Sequence, residues 1–391
     1  MSSTEVITKE RWSDSWYGVF AMFSIVGMLV SFLFLVHSPT NYQERFNLNF
    51  AMNGNLNPTT QGSPDDPMPL YYVFLHGIAH ITTPSLTLLR SVSVICLVLA
   101  FVVIYFAGKF AHNYRTGLLA ATMTALSPFM LWYANRATVY SLLVLVTVLN
   151  QLCFVLLLHK KNWVWPLYIV SAILGLGLHY FFIFILLLQF AFFFAKRRDF
   201  STAYQVGMAL TAVGLFAIFT AWIHYLSDVI NVFKLLPYAG KPSATNAFII
   251  YVQYLFGFQS VTTTTLIIAF WPLLVVLALL AVQKYVRPSI GIQYFAFTTT
   301  MLIVTLFVFS WIWRSLFLSS YLIIGLPSFM LMVSWYLVAF DLKVLASVRV
   351  IVLGVMVVML AVELSHTDFA LSQDYLGSVS SQPRTAEVMG L

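Results

Sequence analysis

Long apolar runs recur along almost the whole chain, and they constrain its possible folds more than any other feature. The first run begins at Tyr17 and the last ends at Glu363. A helix needs about 20 such residues to cross a hydrocarbon core of about 30 Å. The runs therefore predict an all-α polytopic membrane protein, with one transmembrane domain over residues 1–364 and a polar C-terminal tail over 365–391.

The charge content supports a membrane protein and argues against a soluble domain or a nucleic-acid-binding protein. Only 8% of the residues are charged, whereas soluble domains carry roughly a quarter. The formal net charge of +7 does not indicate nucleic-acid binding, because the basic residues are scattered at the ends of the apolar runs, where they orient membrane proteins. Cys96 and Cys153 lie inside apolar runs, which predicts buried packing thiols.

The distribution of lysine and arginine predicts the topology. Lys9 and Arg11 precede the first span and place the N-terminus in the cytoplasm. Basic residues flank both ends of Val164–Ala195, which predicts two short spans that turn outside near His179. About eleven spans follow, in an inner (plasma) membrane with the tail outside. They are Tyr17–His37, Leu86–Ala107, Leu118–Ala134, Val139–Leu158, two within Val164–Ala195, Ala203–Leu226, Thr264–Val282, Ile292–Trp313, Tyr321–Phe340 and Val350–Glu363.

The predicted topology leaves two long outer loops. The first spans residues 38–84 and contains an amphipathic stretch, Pro69–Ile81, that is too short to cross the membrane. The second spans residues 227–261 and ends in an aromatic-rich stretch, Phe248–Phe258. Both stretches are predicted to be helices that lie in the outer interface.

Several motifs occur in a recognisable order. The first loop holds Gln43-Glu44 and the sequence DPMPLYYVFLHGI. LLRSVSVICLVLAFVVIYFAGKF and TGLLAATMTALSPFMLWYANRATVYSLL follow, and GLHY and SYLIIGLP come later. Taken together, these motifs resemble the integral-membrane glycosyltransferases of the GT-C fold, in the branch that contains protein O-mannosyltransferases and lipid A aminoarabinose transferases.

The resemblance implies a chemistry. A polyprenyl-phosphate sugar would enter from the bilayer, a loop carboxylate would deprotonate an acceptor hydroxyl, and cationic side chains would stabilise the departing phosphate. The candidate bases are Glu44, which leads, Asp65 and Asp66. The candidates for binding the donor phosphate are Arg314, Arg136, Arg90, Lys234 and Lys241. The residues expected to line the cavity are Tyr42, Tyr71, Tyr72, His179, Tyr140 and Tyr321.

Simpler interpretations stand beside these roles. Glu44 would pair with Arg45 or stay solvated, and the two aspartates would form a turn before Pro67. Arg314, which follows a Trp-Ile-Trp sequence, would anchor a span end in the interface.

The histidines do not decide whether the protein binds a divalent metal as a cofactor. His76 and His80 have the spacing of metal ligands on one helical face, which keeps a divalent metal among the alternatives, although an amphipathic face without metal explains the same pattern. His179 would line the cavity or serve as a hydrogen-bonded structural residue.

Three functions fit the sequence. The first is a glycosyltransferase that moves a sugar from a polyprenyl-phosphate donor to a lipid, glycan or protein acceptor. The second is a catalytically degenerate relative that binds a lipid-linked sugar or a partner; it is favoured where the chain departs from the family pattern, at Gln43, Arg136, Thr138 and Ser320. The third, a transporter or flippase of lipid-linked glycans, is less well supported, because internal repeats and charges at mid-membrane depth are not evident.

Overall fold

The described part of the chain is built from helices. A computed structural model describes Ile25, Leu29 and residues 42–53, 68–134, 136–229, 241–257, 288–312, 317–339 and 352–360. In chain order the helices are α1 (Tyr42–Asn53), α2 (Pro69–Ile81), α3 (Leu86–Ala111), α4 (Tyr114–Leu126), α5 (Pro128–Ala134), α6 (Tyr140–Leu158), α7 (Trp165–Leu178), α8 (Phe182–Ala195), α9 (Thr202–Val229), α10 (Ala244–Phe256), α11 (Ile290–Ile312), α12 (Ser319–Leu322) and α13 (Leu326–Ala339). A 3₁₀ turn, Ile323–Gly325, joins α12 to α13, and residues 352–360 are also helical.

Several helices have the length and composition of membrane spans, as predicted. Within the described ranges, five segments are long and apolar enough to cross a membrane: Leu86–Ala111, Tyr140–Leu158, Thr202–His224, Ile290–Ile312 and Ser319–Val338. The predicted span Thr264–Val282 lies outside the described residues, as does all of Tyr17–His37 except Ile25 and Leu29. The all-helical membrane architecture is confirmed, and the number of spans stays a prediction.

Two long apolar stretches are each divided into two helices. The stretch from Val164 to Ala195 is divided into α7 and α8, with His179 at the turn. The predicted single span Leu118–Ala134 is instead broken at Pro128, because the Ser127 hydroxyl accepts a hydrogen bond from the Met130 N–H (3.2 Å) and so caps α5. The same hydroxyl donates to the Tyr254 carbonyl at 2.6 Å, which ties α5 to α10.

The second predicted interfacial helix starts earlier than expected. It begins at Ala244 rather than Phe248, because Ser243 and Asn246 form a reciprocal capping box at its N-terminus. By contrast, the first, α2, has the predicted bounds Pro69–Ile81.

Helix α1 was not predicted, because the sequence indicated a helix in the first outer loop only at Pro69–Ile81. Its composition is polar, so the sequence has no apolar periodicity that would indicate a helix there. Its buried residues nevertheless recur with helical spacing, at Glu44, Asn47 and Ala51. Helix α1 packs on α2, since the Phe50 ring lies 4.9 Å from the Tyr72 ring.

A hydrogen-bonded network of fully buried polar side chains joins α6, α7, α8 and α11. The Gln189 amide donates to the Asn150 side-chain oxygen (2.8 Å) and to the Tyr294 hydroxyl (3.1 Å). Its own oxygen accepts from the Tyr168 hydroxyl at 2.8 Å. Asn150 in turn donates to Ser171 on α7 at 3.0 Å. Because unpaired polar groups are costly in an apolar interior, the network fixes how these helices pack.

Replacing Gln189 by leucine is expected to destabilise the bundle by about 1–2 kcal/mol, since hydrogen bonds between membrane helices are individually modest. The expected result is a lower midpoint of thermal unfolding in detergent. Thr220→Val provides the control, because Thr220 is exposed and bonds only within α9 among the contacts described for it. Equal midpoints for the two variants would contradict a structural role for the network.

Candidate functional site

A buried ion pair joins α1 to the start of α3. Arg90 Nε donates to Glu44 Oε1 at 2.8 Å, and Arg90 Nη2 donates to Glu44 Oε2 at 2.9 Å. The two side chains are 1% and 0% exposed. This geometry is the bidentate pairing that suits a guanidinium and a carboxylate. Glu44 therefore pairs with Arg90, not with the neighbouring Arg45, which is exposed.

The same carboxylate holds the turn between α5 and α6. The Ala137 N–H donates to Glu44 Oε1 at 2.9 Å, and the Ala137 carbonyl accepts from Asn47 Nδ2 at 2.8 Å. Glu44 and Asn47 lie three residues apart on one face of α1. Helix α1 thus binds both backbone polar groups of one turn residue, Ala137, and so fixes its neighbours Arg136 and Thr138.

The surroundings of Glu44 favour the ionised carboxylate. Burial by itself would raise its pKa, but the Arg90 hydrogen bonds, the Ala137 N–H and the charges of Arg90 and Arg136 more than offset this. The pKa therefore lies below the ordinary value of 4.5. A carboxylate with a lowered pKa and occupied oxygens is a weak base, and this arrangement suits it to positioning.

Arg136, in the turn between α5 and α6, is the second cation near Glu44, after Arg90. Its guanidinium carbon lies 3.8 Å from the centre of the Trp132 ring, and the residue is 9% exposed. Stacking on an aromatic face holds the guanidinium in one orientation. Trp132, Asn47 and the Ala137 peptide were not among the predicted site residues. Only the spacing of Asn47 from Glu44 could have indicated one of them, and only once α1 was known to be a helix.

His179 lies at the turn between α7 and α8 and is fully buried. Its Nδ1 accepts a hydrogen bond from the Phe181 N–H at 3.1 Å, which assigns the ring proton to Nε2. Among the described residues, Nε2 has no hydrogen-bond partner. Burial lowers the pKa of His179 to about 3, so the ring is neutral at neutral pH and can donate a hydrogen bond.

Predicted cavity residues surround His179. The Tyr321 ring lies 5.3 Å from the His179 ring, and the Tyr140 ring lies 6.5 Å from it. The start of α2 also reaches this turn, because Leu70 packs against Gly177, where an added Cβ would lie 3.2 Å from the leucine side chain.

A narrow apolar cleft separates α2 from α3 and α6. Its walls include Tyr71, Leu75, Leu89 and Leu142. Thr138, in the turn held by α1, also lines it. Thr138 Oγ1 is buried and has no hydrogen-bond partner among the described residues. The cleft therefore runs along apolar walls to a polar turn that carries Arg136. Tyr72, also predicted to line a cavity, packs instead against α1.

The remaining predicted residues fall into two groups. Lys241 lies with its ammonium 5.1 Å from the centre of the Trp311 ring, and the contacts described for it do not reach Glu44 or Arg136. Asp65, Asp66, Lys234 and Arg314 lie outside the described residues, as does the side chain of Tyr42.

The predicted histidine pair is on the surface. His76 and His80 bring their Nε2 atoms within 2.9 Å of each other on α2. Within the described parts of the chain, no group of three or more histidine, cysteine, aspartate or glutamate residues is arranged to hold a metal ion. Cys96 and Cys153 are free and buried, as predicted.

Comparisons with known proteins match this architecture. Residues 65–225, about two fifths of the chain, match the sequence profile of the dolichyl-phosphate-mannose-protein mannosyltransferase family. A comparison with curated proteins found no match.

Two solved structures of ArnT give the same result for the fold. ArnT from Cupriavidus metallidurans bound to undecaprenyl phosphate is 14% identical, with a TM-score of 0.61 over 86% of this chain and 62% of ArnT. Its apo form has a TM-score of 0.59 at 14% identity, over 87% of this chain and 62% of that one. An oligosaccharyltransferase of Archaeoglobus fulgidus, tethered with an acceptor peptide, is 12% identical and has a TM-score of 0.47 over 88% of this chain and 55% of its own.

The chain spans about three fifths of the length of the ArnT chains it matches. At such low identity the similarity to ArnT concerns the fold, and it agrees with the family profile over residues 65–225. Together they confirm the resemblance found in the sequence motifs: the protein has the fold of the GT-C membrane glycosyltransferases.

Proposed function

We propose that this protein transfers a sugar from a polyprenyl-phosphate donor to an acceptor hydroxyl at the outer face of the membrane. The family profile and the fold support the reaction class. The observation that carries the proposal is the meeting of the Glu44–Arg90 pair and the stacked Arg136 at one turn, which borders an apolar cleft. The buried His179 lies near Tyr140, the first residue of the helix that follows this turn. These residues come from parts of the chain that are far apart in sequence.

The chemistry of the donor matches the lining of the cleft and its polar end. An isoprenoid chain is apolar and suits walls such as Tyr71 and Leu89, while its phosphate suits a guanidinium. Arg136 is the phosphate ligand in this proposal, because Trp132 and the turn held by Glu44 fix its position. Arg314, Lys234 and Lys241 are the further candidates.

In the reaction, the acceptor oxygen forms a bond to the anomeric carbon as the bond from that carbon to the lipid phosphate breaks. A carboxylate takes the acceptor proton, and the phosphate leaves on the lipid. We assign the base to Asp65 or Asp66, which precede the buried Met68 at the start of α2 in the sequence. Glu44 then acts as a positioning residue, and the His179 Nε2–H donates to an oxygen of a substrate.

The proposal is tested by transfer from a labelled polyprenyl-phosphate sugar to lipid, glycan or peptide acceptors in proteoliposomes. Asp65→Asn or Asp66→Asn is expected to slow transfer at least about 100-fold without changing the thermal midpoint. Arg136→Ala is expected to slow it by about 100-fold to 1000-fold. Arg198→Ala is the control, because Arg198 is exposed in the turn between α8 and α9. Glu44→Gln should lower both the rate and the midpoint.

Other outcomes would contradict these assignments. Wild-type rates in both aspartate variants would remove them as bases. A slow Glu44→Gln variant with an unchanged midpoint would return the role of base to Glu44.

A second candidate function is binding of a lipid-linked sugar without turnover. It is favoured by the occupied oxygens and complete burial of Glu44, and by Gln43 at the position of the family's aspartate. Binding of the labelled donor without transfer by the wild type to any of these acceptors would support it.

A further inference from the structure

Two histidines on the surface of α2 point their ring Nε2 atoms at each other. His76 Nε2 and His80 Nε2 are 2.9 Å apart, and the ring planes are nearly perpendicular at 89°. His80 is exposed and His76 is half-buried. The contacts described for the two histidines do not reach Glu44 or Arg90, and the proposed transfer reaction does not use the pair.

The two nitrogens share a hydrogen bond in the metal-free pair, and the same separation suits a shared metal ion. Two nitrogen ligands, each about 2.0–2.1 Å from an ion and at a right angle to one another, lie about 2.9 Å apart. A tetrahedral angle would need about 3.3 Å. The observed distance therefore matches adjacent positions of a square-planar or octahedral ion, the geometries typical of Cu²⁺ and Ni²⁺.

We propose that His76 and His80 form a surface site for a divalent transition-metal ion, with Cu²⁺ bound more tightly than Ni²⁺. The helical i, i+4 spacing places both imidazoles on one face before any ion arrives. The site also lies in the last turns of α2, where the partial negative charge of a helix C-terminus favours a cation. Water completes the coordination.

The experiment titrates untagged, chelator-treated protein in detergent with NiCl₂ by calorimetry and, in parallel, records the EPR spectrum with one equivalent of CuCl₂. The wild type should bind one Ni²⁺ at this site, and its Cu²⁺ spectrum should show two imidazole nitrogens. Either His76→Ala or His80→Ala should weaken Ni²⁺ binding at least about tenfold and leave one coordinated nitrogen.

His159→Ala is the matched control, because the ring nitrogen of His159 bonds to the Val155 carbonyl of its own helix. This variant should bind Ni²⁺ like the wild type. His80→Gln, which keeps a polar side chain at this exposed position, checks that any loss of binding is not a loss of folding. Equal Ni²⁺ affinity in the wild type and the His76→Ala/His80→Ala double variant would overturn the proposal, as would a Cu²⁺ spectrum with a single nitrogen in the wild type.

Discussion

Replacing Arg90 by methionine is expected to lower the free energy of unfolding by about 3–5 kcal/mol. Methionine keeps much of the length of the arginine side chain but leaves the Glu44 carboxylate without the guanidinium. Because that carboxylate is 0% exposed, water cannot replace the lost charge. The measurement is the midpoint of thermal unfolding in detergent. Arg198→Met, at an exposed arginine, should leave the midpoint unchanged.

The double variant Glu44→Gln/Arg90→Met separates the charge effect from packing. Removing the carboxylate charge as well should restore part of the lost stability, since the large penalty comes from a buried charge that has lost its partner. Additive effects of the two substitutions would show that the pair is not energetically coupled.

The pair also predicts a pH dependence. Because the pKa of Glu44 is lowered in the folded state, its contribution to stability is fully present above the ordinary value of 4.5. That contribution is lost as the pH falls further and passes the folded-state pKa. The midpoint of the wild type should therefore drop more steeply than that of Glu44→Gln as the pH falls below 4.5. Parallel curves would contradict an ionised Glu44.

The second large effect is expected at Gly117, where the backbones of α3 and α4 lie close together. A Cβ added to Gly117 would lie 2.1 Å from the Tyr105 carbonyl oxygen and 3.0 Å from the Lys109 nitrogen. Both atoms belong to the backbone of α3, so the clash is relieved only by separating the helices. Gly117→Ala should therefore cost about 3 kcal/mol or more, the upper end for overpacking.

Gly214→Ala is the matched control, because an added Cβ on α9 meets nothing within 4 Å. There the substitution should raise stability by about 0.5–1 kcal/mol, since alanine favours a helix more than glycine does. Both variants are compared by folded yield and thermal midpoint in the same detergent. Similar midpoints would show that α3 and α4 tolerate separation.

Much of the fold could be predicted because membrane helices are specified locally. The apolar runs fix the position of α3, α6 and α11 to within a few residues, and the amphipathic period of Pro69–Ile81 fixes α2. Helix α1 escaped prediction because it buries polar side chains, Glu44 and Asn47, whose cost is offset by partners that lie far away in the sequence.

The sequence by itself determined an all-α membrane protein, its resemblance to the GT-C fold and the residue types that a site would need, since hydropathy and motif order are local properties of the chain. Only the tertiary structure decided what those residues do together. It pairs Glu44 with Arg90, 46 positions later, and places Ala137 on the same carboxylate. The physical reason is that a charge inside an apolar protein needs an opposite charge and hydrogen-bond donors at contact distance, and the folding of the chain alone determines which groups come that close.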